Sequence, residues 1–177
     1  MPTQNIDGPV VSTPGGTRWH SRISLQWDNP GTGPSVQVWY TYKFVLLQGS
    51  VSDSGNLSSW SDPWGSGSAN NKSIVISGSG EVVVGGTFTA WHGVKYGANA
   101  DMSFSLSINN IGPGDTGPSV ASGTVWIGPR VASPPSAPVI AHRNLSARSV
   151  NIYVPTPGDN NGAGADDCEY RIYGGGY

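Results

Sequence analysis

Two tryptophans, Trp60 and Trp64, stand close together in the stretch SSWSDPWGSG, which reads as part of a polar, Gly/Ser-rich loop. Flat, rigid aromatics in such a loop can stack on the faces of sugar rings or anchor a protein interface at modest entropic cost. The favoured reading is blander: the rings fold back to cap an open end of the domain or pack against a neighbouring subunit. Trp19, beside His20 at the start of the main body, and Tyr170, Ile172 and Tyr177 in the last stretch complete the candidate binding or interface residues.

Other chemistry is poorly supplied. His20, His92 and His142 are far apart with different flanks, so nothing in their spacing assembles a zinc site. Asp159-Asn160-Asn161 and Asp166-Asp167 flank a Gly-rich loop, but the ligand ladder of a calcium loop is missing and the same residues build plain turns. Cys168 is the single cysteine, which excludes an intrachain disulfide, and the acids beside it would raise rather than lower a thiol pKa. The 11 carboxylates include no pair that sequence alone can select for glycoside hydrolysis. No Gly-x-Ser-x-Gly elbow and no phosphate-cradling loop leading into a helix are present. The reading is therefore a non-enzymatic chain with no catalytic residue, no metal and no cofactor.

The elements that would position these residues are strands. Arg22–Trp27 alternates Ile23, Leu25 and Trp27 with Ser24 and Gln26. Val36, Val38, Tyr40 and Tyr42 alternate along the next run, which becomes continuously apolar at Phe44–Leu47 and predicts a bulge or bend midway. Residues 49–72 read as a long polar loop with a short edge strand near Val51. Strands are then expected at Ser73–Ser77, at Glu81–Ala90 with a bulge or turn at Gly85-Gly86, and at Met102–Asn109. In the last of these Met102, Phe104, Leu106 and Ile108 share one face and three serines the other. Thr124–Ile127 closes the domain, and Trp27, Trp39, Trp91 and Trp126, within or at the ends of strands, are expected to pack in the core or between sheets.

Composition agrees. Among 177 residues there are 26 glycines and 14 prolines, and only 11% are charged, which favours short strands joined by tight turns. Seven tryptophans and seven tyrosines argue against disorder. A net charge of -2 with scattered Lys and Arg offers no stripe for nucleic acid. No stretch is long and apolar enough to insert in a membrane. The first residues lack the basic and apolar regions of a secretory signal, so synthesis in a cytoplasm is expected.

The domain organisation follows. Residues 1–17 read as an arm that orders on a neighbour, 18–130 as an immunoglobulin-like antiparallel β-sandwich, 131–138 as a Pro-rich linker and 139–177 as a further β segment. In that segment strands are expected near Val139–Ile140, at Ser149–Val154 and at Cys168–Tyr173. A complete seven-strand sandwich needs roughly 90–100 residues and about 40 are left, so this sheet is expected to need a partner to cover it.

Two resemblances bear on function. From Ser73 to Ile111 the order is strand, Gly-Ser turn, strand, Trp91-His92-Gly93, then Gly97-Ala98-Asn99-Ala100-Asp101-Met102 and a serine-interleaved strand. This is similar to a module of minor structural and tail-tip proteins of tailed phages. The residues PPSAP, NLSARSV and EYRIY resemble the front half of fibronectin type III modules found in minor tail proteins of actinobacterial phages, with Tyr153 where that family usually has a core Trp. Together they imply a homo-oligomeric virion structural protein, of the tail rather than the head, made in the host cytoplasm and partnered by other virion proteins and its own copies. A capsid decoration protein, or an adhesion module gripping host cell-wall glycan through Trp60 and Trp64, are the alternatives.

Overall fold

Alternation of apolar and polar residues dictates strands whose inward faces must be covered, and a second sheet is what covers them. The structure, a computed structural model, describes residues 1–53, 57–70, 73–109, 111, 117–132, 141–146 and 149–153. Among the described residues there is no helix, so the all-β expectation holds. The strands are β1 (Thr3–Asp7), β2 (Val11–Ser12), β3 (Arg18–Trp27), β4 (Ser35–Gln48), β5 (Ser50–Asp53), β6 (Leu57–Asp62), β7 (Gly65–Asn70), β8 (Ile74–Ser77), β9 (Gly80–Gly93), β10 (Ala100–Asn109), β11 (Ser119–Ile127), β12 (Ala141–Ser146) and β13 (Ser149–Tyr153).

Residues 1–130 form one unit. Its first sheet is five-stranded, in the order β1-β3-β4-β9 with β2 also on β3, and its second is four-stranded, in the order β11-β10-β6-β7. All these pairings are antiparallel. Between the sheets lie Ile23, Leu25 and Trp27 of β3, Val38, Tyr40, Tyr42 and Phe44 of β4, and Met102, Phe104, Leu106 and Ile108 of β10, all buried as their alternation requires. Each aliphatic side chain taken fully out of water here contributes about 1.5–3 kcal/mol. The small β5–β8 sheet adds Val51 and Ile74 to the same core.

Two segments differ from expectation. Residues 1–17 are not an arm: Thr3–Asp7 pairs with β3 from Asp7↔Arg22 to Thr3↔Gln26, and Val11–Ser12 adds to the same strand. The segment looks aperiodic because an edge strand gains its place from ladder hydrogen bonds and one inward side chain, Ile6. Residues 49–72 are not a single loop either, since β6 and β7 form a hairpin within them whose β6 strand pairs with β10. The expected irregularity near Gly85-Gly86 is present as a bulge, where the partner of β4 jumps from Gly86 to Val83 between Tyr42 and Lys43.

The sheets are joined along one side by a buried polar tie. Ser21 of β3 and Ser119 of β11 are both fully buried. The Ser21 N–H donates to Ser119 Oγ at 2.9 Å, and Ser119 Oγ donates to the Pro9 carbonyl at 2.9 Å. The Ser21 hydroxyl, 3.1 Å from Ser119 Oγ, is therefore the donor of that pair. Gly8 closes the tie with its N–H on the Ser21 carbonyl at 2.9 Å.

Residues 131–177 form a second unit, in which β12 and β13 make an antiparallel hairpin with a register shift between Arg143 and Leu145. The second of the three expected strands coincides with β13. The expected strands at Val139–Ile140 and Cys168–Tyr173 lie outside the described residues.

The tie leaves no room for a side chain at Gly8: a Cβ there would sit 2.5 Å from Ser21 Oγ, 2.7 Å from Ser119 Oγ and 2.8 Å from the Val120 carbonyl carbon. Gly8→Ala is expected to destabilise the domain by about 1–3 kcal/mol, the usual cost of overpacking. Gly31→Ala, where nothing lies within 4 Å, is the matched control and should stay near neutral in the same denaturant titration.

Candidate functional site

The hairpin that carries Trp60 and Trp64 turns at Asp62-Pro63-Trp64-Gly65. Asp before Pro, with Gly at the last position, is the residue pattern of a type I turn. Asp62 Oδ1 accepts the Trp64 N–H at 2.9 Å, the side-chain-to-backbone bond two residues on that fixes such turns. Its other oxygen, Oδ2, reaches the opposite sheet and accepts the hydroxyls of Tyr40 at 3.1 Å and Tyr42 at 3.0 Å. One carboxylate thus pins the hairpin tip to the centre of β4.

Aromatic rings surround this carboxylate. Trp64 stacks on Tyr40 at 5.4 Å and 15°, and its indole N–H donates to the Trp91 carbonyl at 3.0 Å. The edge of Trp64 meets His92 at 5.9 Å. Tyr40 also stacks on Phe88 at 5.2 Å, and Trp60 lies against Tyr42 at 5.7 Å. Trp60 spreads over its cross-strand partner Gly67, where a Cβ would come within 2.5 Å of the ring, and Gly85 in the bulge makes similar room for Tyr42 and Trp60. Each well-placed ring pair adds about 0.5–1.5 kcal/mol beyond its buried area.

Burial first, and the negative charge of Asp62 second, hold the Tyr40 and Tyr42 phenols well above the ordinary tyrosine range. Burial likewise holds the His92 imidazole below its ordinary value, against a weaker pull from Asp101. The cluster resists ionisation of its tyrosines and protonation of its histidine, which suits a seam between sheets.

Trp60 and Trp64 are therefore drawn together, but as caps on the domain's own aromatic seam. Trp60 is on a strand, not in a loop, and packs against the core. Trp19 is no surface residue: it is fully buried and stacks on Phe44 at 5.2 Å. Tyr170, Ile172 and Tyr177 lie outside the described residues. His20, Ser21, Ser119 and Asp7 supply the residue types of a hydrolytic triad, yet His20 Nδ1 faces the Ser21 carbonyl at 3.0 Å and both hydroxyls are buried in the tie.

Three tryptophans assigned to packing differ from that expectation. Trp27 is buried, but Trp39 is only half-buried on the outward face of β4, while Trp91 on β9 and Trp126 on β11 are each 62% exposed. The signal was present in strand parity, since Val38 and Tyr40, Ala90, and Val125 and Ile127 are the inward neighbours. On the same outward face as Trp39 the ionic side chains gather at one end. Arg22 donates to Asp7 at 2.6 and 2.9 Å and to Glu81 at 2.8 Å, and Lys43 donates to Glu81 at 2.7 Å. The Arg22 hydrogen bonds hold the Asp7 carboxyl below its ordinary range, and Lys43, then Arg22, do the same for Glu81.

No protein-family model, no curated protein and no solved structure matches this chain.

The seam has an alkaline signature. In the unfolded chain tyrosine ionises near pH 10, whereas the folded state retains the Tyr40 and Tyr42 protons, so their stabilising contribution is present below about pH 10 and lost as pH rises beyond it. Following the ultraviolet phenolate band should show two late-ionising phenols coupled to unfolding. Asp62→Asn should bring their ionisation only part of the way down, because burial is the larger cause. Asp62→Ala, which strips the acceptor from two buried hydroxyls, should cost about 1–3 kcal/mol in chemical denaturation.

Proposed function

We propose that this chain is a non-enzymatic structural subunit of a tailed-phage virion, a minor tail or tail-tip protein working in assembly and host adhesion. The observation that carries the reading is the pair of exposed indoles on the outward faces of both sheets, Trp91 and Trp126. Large rigid aromatics exposed on rigid strands, in a chain with only 11% charged residues, are the anchors of surfaces that bury against something else. The phage-like order of residues 73–111 and the fibronectin-like segment after the Pro-rich linker supply the setting. Copies of the chain repeat by the symmetry of the particle and bind one another and neighbouring virion proteins.

Purified particles test this. The chain is expected in intact virions and, after heads and tails are separated, in the tail fraction. Recovery with heads would instead favour the capsid-decoration role. Absence from both fractions, in lysates where the protein is made, would end the structural reading. On tails, Trp91→Ala and Trp126→Ala are expected to lower incorporation several-fold without changing the unfolding midpoint by more than a surface substitution does, about 0.5 kcal/mol.

A further inference from the structure

The outward face of the first sheet is built in rows. Across β1, β3, β4 and β9 one row reads Thr3, Gln26, Trp39, Thr89, and the next reads Asn5, Ser24, Thr41, Thr87. Trp39 rises from the middle of this face, and a depression of about 260 Å³ lies beside it, lined by Thr3, Asn5, Ser24, Gln26, Trp39 and Thr41. Trp91 lies diagonally from Trp39 on the neighbouring strand, opposite Gln37. Sheet geometry puts such diagonal neighbours roughly 7–8 Å apart.

We propose that this depression is a binding site for a neutral saccharide chain, with Trp39 as its aromatic wall. A sugar ring has a C–H face that lies flat on an indole and a rim of hydroxyls that each donate and accept. The lining offers both. Asn5 and Gln26 carry carboxamides, and Thr3, Ser24 and Thr41 carry hydroxyls, all able to donate and accept. The side chains of Thr3, Asn5 and Ser24 make no hydrogen bond to another described residue. Thr41 shares only a 3.2 Å contact with Thr87, and the Gln26 amide meets only the weak acceptor Met1 Sδ.

The charge pattern selects the ligand class. No ionisable side chain lines the depression. The ions of this face are satisfied one row away in the Asp7–Arg22–Glu81–Lys43 cluster, whose two acids and two bases cancel. A nucleic acid or acidic polymer would find no unpaired cationic side chain among the residues that line it. A peptide strand added at the outer edge of β1 would lie in the plane of the sheet and leave the face around Trp39 uncovered. The aromatic wall is also rigid, since Trp39 stands on a central strand whose ladder runs unbroken on its β3 side from Trp19↔Leu46 to Trp27↔Val38. This site is distinct from the Trp60–Trp64 seam, and it does not depend on the virion assignment.

The test uses the full chain and a panel of neutral hexasaccharides, of glucan, mannan, galactan and arabinan type, with oligogalacturonate as the acidic comparison. Tryptophan fluorescence titration and calorimetry read the binding. At least one neutral class is expected to bind, Trp39→Ala to weaken it by about tenfold or more, and Asn5→Ala on the exposed edge strand to weaken it several-fold. Val120→Ala, on the exposed face of the other sheet, should leave affinity unchanged. Asn5→Ala keeps the test open should Trp39→Ala unfold, and thermal unfolding of each variant identifies that case. Failure of every neutral sugar to bind, preference for the acidic oligomer, or unchanged affinity in both variants overturns the proposal. So does a Trp39→Ala effect confined to self-association, which would assign the face to another protein molecule.

Discussion

Two stacked sheets must be held together along both of their long sides, and in this domain a single half-buried carboxylate, that of Asp62, governs one of them. Asp62 belongs to the second sheet through β6, yet both of its oxygens are committed, one to its own turn and one to two phenols of the first sheet. Those bonds set where the hairpin tip sits. They therefore set where Trp64 meets Tyr40 and where Trp60 lies over Gly67 and Gly85. Drawing a carboxylate part-way out of water is costly unless its lone pairs are filled, and here two tyrosine hydroxyls and a backbone N–H fill them. The opposite side uses the neutral version of the same device, two serines and a glycine, where no charge has to be desolvated.

This difference explains the distribution of aromatic residues. Along the serine tie the sheets approach closely, so that Gly8 leaves room for the two serine hydroxyls and Gly123 for the Ile6 side chain. Along the Asp62 side the gap is filled by rings from β4, β6, β9 and β10. Small residues in β7 and at the β9 bulge are the counterpart of those rings: Gly67 and Gly85 are where the indole and phenol go. A glycine-rich, serine-rich sequence thus builds its core by pairing its smallest residues with its largest.

Much of this was legible in the chain, and what was not has a physical cause. Strands β3, β4 and β10 announced themselves where one face alone is buried, over residues 23–27, 36–44 and 102–108, because burial alternates there residue by residue. Strand β1 was hidden, because an edge strand with one inward residue has no period to show. The β6–β7 hairpin was hidden for a related reason: its small residues leave the apolar work to a ring on the partner strand. Its turn was nonetheless written out in Asp62-Pro63-Trp64-Gly65, where the polar composition of the surrounding stretch outweighed the turn chemistry. The reach of Asp62 across to Tyr40 and Tyr42 was beyond any local signal, being set by how two sheets stack.

The outward tryptophans turn on the same alternation, and they show why residue type is weaker information than parity. A Trp on a strand is as large an apolar group as any core residue, so hydrophobicity alone sends Trp39, Trp91 and Trp126 inward. Each, however, is next in sequence to residues that are already inward, and a pleated strand cannot send both to one side. A one-residue slip that buried Trp39 would turn Val38, Tyr40 and Tyr42 out to water and strip Asp62 of its donors. The exposure of Trp39 and its row is thus enforced by the core, and its geometry is as rigid as the core itself. What such a face can recognise then follows from what stands beside the rings: ions that have already found one another at Arg22, and amides and hydroxyls that have not.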